Sequence, residues 1–229
     1  MRRLVGVICI GFLVCSVSFA EDWVPLSEGN SLDGWTQIGG DASYSIKDGV
    51  ITGKTGPGKN SFLTRGPYGD FVLEFEVQCD PKLNSGVQIR SHQYTERTPQ
   101  ESSAKRIREK GEVYGYQAEI RDKINGKNGC AGNFWDEGRR TKWLDQTISS
   151  VEKQAAYKPG EWNSFRIIAQ GNRLRSFIND TAIADFTDDR DASGFIGLQV
   201  HSIKKGAGPY SVSWKNIRIR ELAEGETVN

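Results

Sequence analysis

Apolar side chains recur at every second position in one short segment after another, and this period constrains the chain more than any other feature. Phe71, Leu73, Phe75 and Val77 alternate with Val72, Glu74 and Glu76. Side chains two apart on a strand share a face, so this segment reads as a half-buried strand with Glu74 and Glu76 toward solvent. Gly86–Arg90, Tyr116–Arg121, Phe165–Ala169, Leu174–Ile178, Ile196–Val200 and Val212–Arg220 also read as strands. Tight-turn residues separate them: Asp48-Gly49 closes a hairpin between Tyr44–Lys47 and Val50–Thr52, Gly171-Asn172 closes another, and Asn179-Asp180 leads into Ala182–Ala184. Many strands at hairpin spacing predict a single antiparallel sandwich.

Two segments depart from the period. Leu144, Ile148 and Val151 stand at helical spacing, which predicts one short surface helix over Lys142–Gln154. Ser91–Glu112 is charged and aperiodic, and predicts a long loop.

Composition narrows the classes. The chain has 30 Lys and Arg against 29 Asp and Glu, so no bulk charge draws it to nucleic acid or an anionic membrane. Arg2 and Arg3, the apolar run Leu4–Val17 and the small-x-small site Ser18-Phe19-Ala20 read as a secretory signal over residues 1–20. The run is shorter than the ~20 residues that span a bilayer, which disfavours an uncleaved anchor. Leu13-Val14 before Cys15 disfavours a lipoprotein site. The expectation is an exported protein, periplasmic or extracellular, with residues 21–229 as one domain and no stable membrane insertion after cleavage. Cys79 and Cys130 either pair or stay free and buried. No Cys/His spacing typical of zinc is present.

The informative residues lie on the other face of three strands. Gln88 and Arg90 oppose Val87 and Ile89; Gln117, Glu119 and Arg121 oppose Ala118 and Ile120; Gln199 and His201 oppose Leu198 and Val200. Tyr94, Tyr114, Tyr116, Trp135 and Trp143 flank them. Each strand alone reads as a solvated face. Together, planar groups that bind paired hydroxyls and rings that take a pyranose C–H face suit a sugar, provided the three strands are neighbours. Asp136-Glu137 followed by Arg139-Arg140 is either a salt-bridged loop or a second acid–base cluster.

Trp23-Val24-Pro25-Leu26, Leu32-Asp33-Gly34-Trp35, Phe71–Phe75, Asn84–Arg90, Gly115–Ile120, Trp135–Arg139, Gly160-Glu161-Trp162-Asn163, Gly197–His201 and Lys215–Ile219, in that order, resemble the 3-keto-disaccharide hydrolase-like domain family, also described as 3-keto-glucoside 1,2-lyase/3-keto-2-hydroxyglucal hydratase. Many members read Glu-x-Gln where this chain has Gln117-Ala118-Glu119, which moves the carboxylate one step along the groove. The resemblance implies a concanavalin-like jelly-roll sandwich of two antiparallel sheets, acting on a mono- or disaccharide glycoside oxidised at C3. It implies C2 proton abstraction by Glu119 or His201, an enolate clamp at Arg90 and a secondary acid at Glu137. Gln88, Gln117 and Gln199 would read hydroxyls, with Tyr116, Trp135 and Arg139 also binding substrate. A divalent cation held by Glu119 and His201 is an alternative electrophile to Arg90, with the metal unknown. A carbohydrate-binding module with the same groove is the rival reading. An ordinary retaining glycosidase is the third, and needs two carboxylates about 5–5.5 Å apart.

Overall fold

The computed structural model describes residues 23–228 except 122, 125–126, 129–130 and 146–150. The predicted signal segment and Cys130 lie outside the described residues. In chain order the strands begin with β1 (Val24–Pro25), β2 (Thr36–Gly39), β3 (Ser43–Lys47), β4 (Val50–Lys54), β5 (Ser61–Tyr68) and β6 (Phe71–Cys79). They continue as β7 (Ser85–Gln93), β8 (Thr98–Gln100), β9 (Ser103–Arg108), β10 (Val113–Ile120), β11 (Lys123–Ile124) and β12 (Lys127–Asn128). The last are β13 (Phe134–Glu137), β14 (Asn163–Gln170), β15 (Arg173–Ile178), β16 (Thr181–Thr187), β17 (Gly194–Val200) and β18 (Ser211–Glu221), with a short helix α1 (Val151–Ala156) before β14.

One sheet runs β16-β15-β14-β6-β18-β4-β3, with β1 added to β18; the other runs β13-β10-β7-β17-β5-β2. The pairings within both are antiparallel, and the architecture is the jelly-roll sandwich with one short helix. The predicted inward residues Leu73, Phe75, Val77, Val87, Ile89, Ala118, Ile120, Phe165, Ile167, Leu198 and Val200 all belong to one buried core. Glu74 and Glu76 sit on the outer face and pair with Arg218 and Lys215. The hairpin at Asp48-Gly49 forms β3 and β4, with both turn residues at positive φ (49° and 75°).

Two sequence expectations are corrected. Ser91–Glu112 is not a loop throughout: β7 runs on to Gln93, and β8 and β9 form a small hairpin of their own. Most of β9 is exposed, so no apolar period marks it. The helix does not start at Lys142. Trp143 instead bridges Trp135, the Leu144 amide donates to the Phe134 carbonyl at 2.9 Å, and helix is described only over Val151–Ala156. Leu144 therefore follows the strand edge, where it packs on the core.

Candidate active site

Register decides which side chains meet. Gln117 faces Trp135 on β13 and Gln88 on β7; Gln88 faces Gly197 on β17. One step along, Glu119 faces Gly86, which faces Gln199, which faces Phe62 on β5. Opposed residues of an antiparallel pair share a face, so these rows form one surface. That surface floors a groove of about 1120 Å³, walled at one end by the β8–β9 hairpin.

Glu119, Arg121, His201 and Asn84 line the groove together with Trp135, Glu137, Arg106 and Arg108. The Lys59 ammonium meets the Glu112 carboxylate at 2.6 Å. Lys59 precedes β5 and Glu112 precedes β10, and both line the groove, so this ion pair links the segments before two strands that are not neighbours in the sheet.

Of the three glutamines only Gln117 lines the groove, and the amides of all three are engaged inside the protein. Gln88 and Gln199 are completely buried, and their Nε2 groups donate to Gln117 Oε1 at 2.7 and 2.8 Å. Two donors on Oε1 settle the orientation of the Gln117 amide, so its Nε2 must donate onward, and it does so to Glu119 Oε2 at 2.8 Å. Ser91 Oγ donates to Gln88 Oε1 at 2.7 Å and fixes that amide in turn. Gly86 makes room for the relay: a Cβ there would lie 2.6 Å from Gln117 Cγ.

Glu119 is 5% exposed. Burial raises its pKa to about 7; the Gln117 bond opposes this, the charge of Glu137 reinforces it, and Arg121 and Asn84 oppose it further. Burial likewise raises Glu137, against the pull of Arg108, the Trp135 hydrogen bond and Arg106. His201 is lowered, by burial first, with the Ser202 carbonyl opposing and Arg121 adding to the effect. At neutral pH its ring is therefore neutral. Nδ1 lies 2.7 Å from the Ser202 carbonyl, so Nδ1 carries the proton and Nε2 is the basic nitrogen. Gln117→Leu removes a donor that favours the ionised carboxylate, so Glu119 should titrate at higher pH. The lower limb of a pH–activity profile should move up by about one unit, the size of effect one charge-assisted hydrogen bond exerts; an unmoved limb would refute the relay.

Three predicted site residues lie elsewhere. Arg90 does not reach the groove. Arg90 and Ser91 together oppose the single residue Gly115, a β-bulge that resets the alternation. With φ at 43°, Arg90 is fully buried, donating to the carbonyls of Gly69 (2.8 Å) and Gly171 (2.7 Å) and pairing with Asp70 at 2.7 Å. Glycines flank the bulge on both neighbouring strands: a Cβ on Gly115 would lie 2.6 Å from Ser91 Oγ, and one on Gly194 would lie 2.4 Å from the Arg90 carbonyl carbon. Tyr116 is a core residue whose hydroxyl donates to Asp188 at 2.6 Å. Arg139 pairs with Asp136 at 3.2 Å and Asp191 at 2.8 Å, and Arg140 pairs with Asp136 and Asp188. The Asp136–Arg140 segment is thus the salt-bridged loop, with Glu137 alone turned to the groove. Arg106, Arg108 and Asn84 are groove residues that strand alternation did not single out.

Glu119 and His201 remain the two candidate metal ligands. Among the described residues no group of three or more His, Cys, Asp or Glu converges, which falls short of the donor set a catalytic metal takes from protein, and no step below is routed through one.

Two curved sheets with a side-chain-lined concavity define a jelly-roll sandwich, and solved structures share it. A provisionally named glycosyl hydrolase from Parabacteroides distasonis superposes with a TM-score of 0.57 at 18% identity, covering 88% of this chain and 94% of that one. The carbohydrate-binding module CBM66 from Bacillus subtilis gives 0.54 at 16%, covering 82% and 96%. A β-1,3-1,4-glucanase (lichenase) from a mouse hindgut metagenome gives 0.53 at 13%, covering 89% and 99%. No curated protein matches the chain in sequence. The chain belongs to the 3-keto-alpha-glucoside-1,2-lyase-like domain family, whose model matches residues 22–220.

Proposed function

We propose that the protein is an exported enzyme that cleaves 3-keto-glucosides by elimination and hydration. The observation that carries this reading is Glu119, a nearly buried carboxylate with a pKa of about 7, aimed by the glutamine relay and accompanied in the groove by Arg121 and His201. A base is most effective when its pKa is near the working pH. The substrate ketone at C3 acidifies the C2 proton. Glu119 takes that proton, and the C2–H electrons flow into an enolate at the C3 oxygen. Arg121, a groove cation whose charge acts on Glu119, takes the stabilising role first expected of Arg90; such stabilisation contributes about 10²–10³-fold. Collapse of the enolate breaks the C1–O bond. Glu137, kept protonated to higher pH by burial, gives its proton to the departing oxygen. Water then adds across the C1–C2 double bond, with neutral His201 as the base that deprotonates it.

The retaining-glycosidase reading differs in its substrate: a retaining pair of carboxylates would turn over the unoxidised parent glycoside.

The test incubates the mature protein, recovered from the cell envelope or medium with Glu21 as its expected first residue, with a 3-keto-glucoside and with the unoxidised parent, each with and without a chelator. Release of the aglycone from the keto form alone is the expected result. Sugar binding without turnover of either would make the domain a binding module, and loss of turnover with chelator would require a metal.

A further inference from the structure

The groove is electrostatically lopsided. Five cationic side chains line it, Lys59, Arg106, Arg108, Lys110 and Arg121, against four carboxylates. The carboxylates compensate poorly. Glu109 is engaged by Arg97 at 3.2 Å, and Glu112 is a single carboxylate shared between two cations, Lys59 and Arg108. Arg106, Arg108 and Lys110 belong to β9 and the turn after it, and Lys59 reaches Glu112 just beyond that turn. Arg106 and Arg108 stand two apart on β9 and both line the groove, as alternation on a strand requires. The Trp135 and Trp143 rings, in edge contact at 5.2 Å, line the same groove.

We propose that the hairpin end of the groove is an anion subsite, and that the glycosides this protein takes carry a carboxylate or sulfo group on the substituent attached to C1. The placement of C1 rests on the proposed reaction: Glu137 protonates the departing oxygen, and Arg108 and Arg106 are the hairpin cations whose charge acts on Glu137, so the hairpin meets the aglycone. Guanidinium groups suit both anions because their paired N–H donors match two oxygens at once. The tryptophan pair supplies the apolar wall that an aromatic or cyclic aglycone needs behind its charged end.

The experiment separates this from the reaction. Phenyl glucoside, 4-carboxyphenyl glucoside and 4-sulfophenyl glucoside, none oxidised, are titrated calorimetrically into the full chain at pH 7 and low salt. The variants are Arg106→Gln and Lys110→Gln, both at exposed positions. The acidic glucosides should bind about tenfold more tightly than the neutral one to the unaltered protein. Arg106→Gln should erase most of that preference, added salt should shrink it, and neutral binding should stay constant. Equal affinity for all three, no binding of any, or a preference indifferent to salt and to both substitutions would overturn the subsite. A preference for one acid over the other distinguishes carboxylate from sulfo recognition. Turnover of a 3-keto-glucoside is measured separately, so a failed reaction and a failed subsite give different results.

Discussion

Glu119→Gln is expected to lower turnover of a 3-keto-glucoside by about 10²–10⁴-fold, the range for losing a general base, while making the protein more stable at neutral and alkaline pH. Both effects come from one cause. The carboxylate is charged in a place that burial makes costly, and its pKa rises from the ordinary 4.5 to about 7. Between those two values the folded chain holds a proton the unfolded chain has released, so stability falls as pH rises through that window. Above it the penalty is complete, on the order of 3 kcal/mol. Glutamine keeps the shape and still accepts the Gln117 hydrogen bond, but carries no charge. Its melting temperature should therefore exceed that of the unaltered protein by about 5–10 °C at pH 8, and the gap should close near pH 4. Retained turnover would remove Glu119 from the chemistry; a lower melting temperature at pH 8 would show that the ionised carboxylate is not under strain.

Arg90→Met should have the largest effect on stability without touching the groove. The guanidinium is fully buried and joins the turn before β6, the turn between β14 and β15, and the Asp70 carboxylate. Removing it leaves the Gly69 and Gly171 carbonyls without their cationic donor, a loss of about 2–5 kcal/mol, while the partly exposed Asp70 carboxylate keeps water and the Gly171 amide as partners. Thermal unfolding should shift down by about 5–10 °C. The pH dependence of any remaining activity should be unchanged, because Arg90 is not among the groups that shift Glu119. A shifted pH profile with normal stability would return Arg90 to the site.

Most of the architecture is legible from the alternation of apolar residues, because each sheet buries one face and strand period two records that burial directly. The same rule correctly placed Gln88, Gln117, Glu119 and Gln199 on one surface. It failed at Arg90, two residues beyond Gln88, because a bulge breaks the count. The clue was present: Gly115 interrupts the run Val113-Tyr114-Gly115-Tyr116, and a glycine inside a strand marks a bulge or a close approach. Alternation also says which face a side chain takes and not whether that face is wet. The glutamines share a surface with Glu119, yet they spend their amides on one another. Arg106 and Arg108 were out of reach for a different reason. Their hairpin is stabilised mainly by backbone pairing and polar contacts, such as Arg108 with Gln100 at 2.8 Å, so no hydrophobic pattern announces it.

The Lys59–Glu112 pair fastens the segment before β5 to the segment before β10 across the groove that both residues line. The Lys59 side chain is largely exposed, so this clasp is weak and screened by salt. Ionic strength therefore sets how firmly the two segments are held together, independently of anything that happens at Glu119.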